Sequence, residues 1–158
     1  MNREAQLLGE YSLAVRDSTI KRLRMVREGF EDWRPTSDSM SIGDIAQHLL
    51  DADRWLFAKL KDGNLASMKG EAGKIRLGNY ATYLNLIDQL HVIGEERARI
   101  IGRLNDERLQ SLCYDDRYGK EVTIWWIIVR GNLDHETHHR GQLAAYLRIL
   151  DSDPLRHK

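Results

Sequence analysis

The chain has 158 residues, enough for one domain with a sizeable core, and its 42% hydrophobic and 30% charged composition excludes a disordered tail. Lys+Arg and Asp+Glu both total 24, so the formal net charge is zero and no broad electrostatic footprint for nucleic acid or an acidic membrane is expected. The one cysteine, Cys113, rules out an intrachain disulfide, and no apolar run reaches signal-peptide or bilayer-spanning length, so a cytoplasmic setting is expected.

Four long helices are predicted within a single domain covering residues 1–158. The first runs from about Arg3 to Phe30, with Leu7, Leu8, Tyr11, Val15, Thr19, Leu23 and Val26 recurring at three- and four-residue steps. Pro35, Thr36 and Ser37 form a break. The second starts near Ser41, an N-cap candidate with Asp44 three positions on, and buries Ile42, Ile45, Leu49, Ala52, Leu56 and Leu60. It stops around Asp62-Gly63-Asn64. The Gly-, Lys- and Glu-rich stretch that follows, to Gly78, reads as a long crossover.

The third helix covers roughly Asn79 to Leu104, and Gly94 inside it costs about 1 kcal/mol relative to alanine, which implies local softness. A loop or a short hairpin then turns at Tyr118-Gly119-Lys120. The fourth helix begins near Thr123 and continues to about Leu150, ending at Asp151-Ser152-Asp153-Pro154. Four amphipathic helices must bury their stripes against one another, which makes an all-α four-helix bundle with a long crossover connection the economical fold.

Of the six histidines, His135, His138 and His139 crowd one turn of the fourth helix, and His48 lies mid-way along the second. Residues four apart on a helix differ by about 40° around the axis and about 6 Å along it, so His135 and His139 project from one face. His48 falls between Ile45 and Ala52 on the stripe expected to face the core, where a bundle brings it opposite that pair. Three imidazoles on one divalent ion leave a coordination position open, the arrangement of a catalytic site. The plainer alternatives are a hydrogen-bonded core histidine at position 48 and a solvated pair at 135 and 139. His138 is a competing ligand through its three-residue spacing from His135, and His91 and His157 read as surface residues. Asp44, one turn before His48, and Gln142, one turn after His138, are candidates to fix ligand tautomers.

His135-Glu136-Thr137-His138-His139 also satisfies the H-E-x-x-H pattern of zinc proteases, in which the glutamate activates water. The extended form of that motif is missing, because Arg140-Gly141-Gln142 does not place its glycine and third histidine. In a bundle Glu136 points sideways, as a solvated or supporting carboxylate. Arg140-Gly141 suits close approach of a neighbouring helix. Adjacent Trp125 and Trp126 point in different directions, and an exposed ring there suits a homodimer interface, with filling of the core as the alternative.

The segment from His135 to Leu143 (His-Glu-Thr-His-His-Arg-Gly-Gln-Leu) resembles the last-helix signature of the DinB/YfiT-like superfamily, as Ile45-Ala46-Gln47-His48-Leu49 with Trp55 resembles its second-helix motif. The order of elements is similar over nearly the whole chain. The resemblance implies a four-helix bundle with a crossover and a metal-binding triad falling on His48, His135 and His139. It implies zinc or nickel as the ion, and a low-molecular-weight thiol as cosubstrate of an S-transferase or isomerase. A non-catalytic bundle that binds metal or a small ligand is the competing reading. Catalytic residues beyond the ligands are not assigned, although Arg140, Arg54 and Tyr146 are candidates to hold an anionic thiol.

Overall fold

The computed structural model describes residues 2–62 and 75–152. Helix α1 spans Arg3–Leu23 and starts where the Asn2 side chain accepts from the Glu4 backbone N–H at 3.0 Å. It ends seven residues short of the expected Phe30. The cause is tertiary: the Tyr83 hydroxyl donates to the Leu23 carbonyl at 2.6 Å and the Tyr80 hydroxyl to the Val26 carbonyl at 3.0 Å. Those bonds, with Val26 buried, fold residues 24–33 into successive turns rather than further helix.

Helix α2 spans Ile42–Asp62. Ser41 and Asp44 form the expected reciprocal cap: Asp44 N–H donates to Ser41 Oγ at 2.9 Å and Ser41 N–H to Asp44 Oδ2 at 2.8 Å. Residues 63–74 of the expected crossover lie outside the described residues. Helix α3 spans Tyr80–Gly102 and α4 spans Asp106–Gln110. The ambiguous loop is a hairpin, β1 (Leu112–Asp115) antiparallel to β2 (Lys120–Thr123), with Cys113 opposite Val122. Its turn places Gly119 at φ +65°, a conformation that favours glycine.

The expected fourth helix starts under a Thr123 cap and runs without a break as α5 (Ile124–Trp126), a π-helical segment (Ile127–Leu133) and α6 (Asp134–Ser152). Sequence periodicity gave no sign of the π segment. Its wider turn rotates everything that follows relative to a regular helix, and such segments recur at functional sites.

Residue pairings fix the helix directions. Arg16 reaches the Leu90 carbonyl and Tyr83 the Leu23 carbonyl, so α1 and α3 are antiparallel. His48 meets His135 and Asn132 meets Ala52, so α2 and the last helix are antiparallel. Arg16 meets Glu136, while Arg22 and Arg148 line one groove, so α1 and α6 run parallel. The order is therefore up, down, down, up, and α2 to α3 needs a connection that returns along the bundle. Ile75 N–H donates to Asp44 Oδ1 at 3.1 Å, which puts residue 75 back at the end where α2 began. The expected crossover topology is the one observed.

The core is split in two. One apolar cluster contains Leu23, Ile42, Ile45, Leu49, Tyr83, Leu90, Leu143 and Tyr146; the other contains Trp55, Leu56, Ile101, Leu109, Ile124, Ile127 and Leu133. The expected stripe on α1 is only partly correct. Leu7 and Tyr11 are about half exposed, and the inward positions include Ala5, Gly9, Ser12 and Arg16. Gly9 is required because a Cβ there would sit 2.7 Å from the Ala98 carbonyl oxygen of α3.

Gly94 serves Arg16. A Cβ at 94 would lie 2.6 Å from Arg16 Cγ, and α3 continues through that position as regular helix, without the expected softening. Gly141, by contrast, is exposed and faces open space, so it is not the close-packing glycine that its place in the motif suggested.

Candidate metal centre

Between the two apolar clusters lies a polar layer built from four helices. Arg16 of α1 and Arg97 of α3 face Asp53 of α2 and Glu136 of α6, all essentially excluded from water. Arg16 Nε and Nη2 donate to the two Glu136 oxygens at 2.8 and 3.0 Å, and Nη2 also donates to Asp53 at 2.7 Å. Arg97 Nη1 donates to Glu136 at 2.6 Å, Asp53 at 2.9 Å and Asn132 Oδ1 at 3.0 Å. Asn132, inside the π segment, returns its amide to the Ala52 carbonyl and to Asp53, both at 3.2 Å. Two positive and two negative groups balance, and nearly every polar atom has a partner, which is what makes four buried charges tolerable.

This layer decides between the two expectations for Glu136: the residue is a buried, supporting carboxylate and not a solvated one. Burial alone would raise its pKa, but the charges of Arg97 and Arg16 and the hydrogen bonds from both pull it down to about 2. A zinc protease needs that carboxylate free to take a proton from water; here both oxygens are committed to guanidinium groups.

Immediately beside the layer, His48, His135 and His139 converge. His48 Nε2 lies 2.8 Å and His139 Nε2 3.1 Å from His135 Nε2, and the three nitrogens all fall within 4.8 Å of one another. A tetrahedral ion with bonds of about 2.0–2.1 Å would set nitrogens about 3.3 Å apart, a few tenths of an ångström beyond the two short contacts and inside the 4.8 Å that bounds the third pair.

The second partners of the rings matter as much. Tyr146 Oη donates to the Met40 carbonyl at 2.9 Å and accepts from Gln142 Nε2 at 3.0 Å. Gln142 Oε1 is thereby turned towards His139 Nδ1, 2.9 Å away, and must accept from it. His139 then carries its proton on Nδ1 and presents a lone pair at Nε2. One imidazole proton can satisfy only one of the two contacts at His135 Nε2, whereas a cation among the three nitrogens satisfies all of them. His135 Nδ1 is buried with no partner among the described residues.

Burial lowers the pKa of all three rings. For His135, burial and the neighbouring charges of His139, His48 and Arg117 push the value down to about 3. His139 falls to about 4, chiefly through burial and despite its bond to Gln142, and His48 is also lowered by burial. All three are therefore neutral near pH 7, the state that binds metal.

The other histidines stand apart. His138 is exposed, with its ring centre 5.1 Å from that of His139, and His91 is exposed beside Glu95. His157 lies outside the described residues. Gln142 supports His139, at three-residue spacing, rather than His138. Asp44 is engaged at the start of α2, with Ser41 and Ile75. Arg54 is exposed and paired with Asp51, the Tyr146 hydroxyl is engaged with Met40 and Gln142, and Arg140 is half-buried.

Sequence reasoning missed Arg16, Asp53, Arg97 and Asn132. A signal existed for Arg97, which occupies a four-residue step between Ile93 and Ile101 and so puts a charged side chain on the α3 stripe; Arg16 follows the polar Ser12 by four and carries no such signal. It also missed Arg117, on the hairpin turn, whose charge reaches His135.

A helical bundle with a crossover and three converging histidines defines the class of protein. The chain belongs to the DinB family, whose profile matches residues 1–155. It is 23% identical over 139 residues to the uncharacterised protein YjoA of Bacillus subtilis (strain 168), covering 87% of this chain and 85% of that one. The crystal structure of the DinB-like YjoA from Bacillus subtilis superposes with a TM-score of 0.68 at 20% identity, covering 94% of both chains, which is a likeness of fold. Among the described residues no helix is long and apolar enough to cross a membrane.

Proposed function

We propose that the chain is a divalent-metal-dependent enzyme whose ion, zinc or nickel, is held by His48, His135 and His139, and that it transfers a low-molecular-weight thiol to an electrophile. The observation that carries this reading is the convergence of three neutral Nε2 atoms at 2.8 and 3.1 Å contacts. Membership of the DinB family supports it.

A divalent ion at this position would lower the pKa of a bound thiol and leave room for a second reactant. The protein's own share is to keep the imidazoles neutral, to fix the His139 tautomer through Gln142 and to brace the site with the Arg16–Glu136–Arg97–Asp53 layer. In the transfer, the thiol proton leaves to solvent, the sulfur forms a bond to the electrophilic atom, and the leaving group departs with its electron pair.

Elemental analysis of protein purified without an affinity tag tests the metal, and turnover of a thiol panel with an electrophilic acceptor tests the chemistry. A metal-loaded protein that turns over no thiol would favour the competing reading, a non-catalytic bundle. We further propose a cytoplasmic homodimer. The exposed Leu7 and Tyr11 on α1 and Ile149 on α6 are apolar groups that such an assembly would cover, and sedimentation equilibrium tests it.

A further inference from the structure

The hairpin brings a cation to the edge of the histidine centre that the metal reading leaves unused. Arg117 stacks on Trp55, its Cζ 4.4 Å from the ring centre, and stands 5.6 Å from the Tyr118 ring. Fully buried Asp115 accepts from Arg117 Nε at 3.0 Å and from Nη2 at 2.6 Å, and the Gly131 carbonyl accepts from Nη1 at 3.1 Å. Those bonds use three of the five guanidinium N–H groups. The other two, one on each Nη, have no partner among the described residues.

The position is fixed by Gly131. A Cβ on that residue would lie 2.7 Å from Arg117 Nη2 and 3.0 Å from the Trp55 ring, so both side chains fill the space a side chain at 131 would take. His135 follows Gly131 by about one helical turn, and positions so spaced carry Cβ atoms about 5–6 Å apart. Trp55 follows His48 by seven residues, about two turns along the same face of α2. The guanidinium therefore sits about one turn from the centre, on the side where α2 and the last helix both lead. Trp55, 4% exposed, covers one face of the guanidinium, and Tyr118 stands between Arg117 and Trp126, which packs edge-on to it. A guanidinium held against an indole face, with two N–H groups open and 23% of its side chain exposed, fits an anion as the acceptor.

We propose that Arg117, with Trp55, forms a subsite for the carboxylate of a small acidic molecule handled at the histidine centre. This rests on the proposed function for the chemistry performed, but not for the binding of the anion.

The test compares 3-mercaptopropionate with its uncharged counterpart 3-mercapto-1-propanol on the full-length cobalt(II)-loaded protein, read by the thiolate-to-cobalt absorption band. The acid is expected to bind about tenfold more tightly, the size of one charge-assisted contact. Arg117→Gln is expected to remove that preference. Equal affinities in the wild type, or a preference that survives Arg117→Gln, would overturn the subsite. Should that variant fail to fold by circular dichroism, Arg117→Lys replaces it: the charge stays, the fork is lost, and an undiminished preference is again fatal.

A parallel titration of the metal-free protein with propionate and propanol, followed by indole fluorescence, separates the two ideas. Saturable quenching by propionate alone, dependent on Arg117, upholds the subsite even if no cobalt is taken up, in which case the proposed function fails by itself. Absence of quenching in the metal-free protein, joined to absence of preference in the loaded one, overturns the inference.

Discussion

His48 Nε2 and His135 Nε2 lie 2.8 Å apart although 87 residues separate them in the chain. They belong to antiparallel helices that are cross-linked next to the site by Asn132, which donates to the Ala52 carbonyl one turn beyond His48. The contact is a product of helix register, so changes that alter either the rings or the register have distinguishable consequences.

Replacing a ring removes a ligand. His48→Ala and His135→Ala should each lower metal affinity by more than the roughly 10–100-fold typical of losing an outer partner. Titration against a chelator of known affinity measures this, and unchanged metal content in both variants would refute the triad.

Gln142→Ala leaves all three rings in place and removes the acceptor that holds the His139 proton on Nδ1. Metal affinity should fall by about 10–100-fold with helix content unchanged, and Gln142→Glu, which still accepts at that position, should recover most of the loss. An alanine variant with wild-type affinity would show that the tautomer is set by something else.

The charged layer should behave as a unit. Asp53→Asn or Glu136→Gln leaves buried guanidinium charge uncompensated and should cost about 3–5 kcal/mol, measured by urea unfolding. A loss below about 1 kcal/mol would mean that the layer is hydrated and does not brace the bundle.

Gly94→Ala and Gly141→Ala make an opposed pair. Each gains up to about 1 kcal/mol of helix propensity. At 141 the new methyl meets open space, so the variant should be stabilised. At 94 it would sit 2.6 Å from Arg16 Cγ, and the net result should be a destabilisation of about 1–3 kcal/mol. Thermal unfolding of the two variants gives the signs directly.

Acid should weaken the metal-free protein earlier than its carboxylates alone would. His135 and His139 titrate near 3 and 4 when folded, against 6.5 in the unfolded chain. Between those values the unfolded chain binds more protons, so stability rises with pH; it is complete above about 6.5 and is lost as pH falls towards 3. The urea midpoint of metal-free protein should drop from pH 7 to pH 5, and His135→Gln should make that drop shallower.

The sequence by itself determined the helices and the identity of the three candidate ligands. Apolar residues at three- and four-residue steps, the Ser41–Asp44 cap and the four-residue spacing of His135 and His139 are local patterns, and local backbone geometry converts them directly into structure. The tertiary structure alone decided which faces met. It ended α1 at Leu23, because hydroxyls of α3 take the carbonyls there, and it turned Glu136 inward, because Arg16 and Arg97 wait on other helices. It put a π segment ahead of His135 and carried Arg117 from a loop to the edge of the centre. Each of those outcomes depends on partners tens of residues away, and no periodicity within one helix encodes the height at which another helix will present its charge.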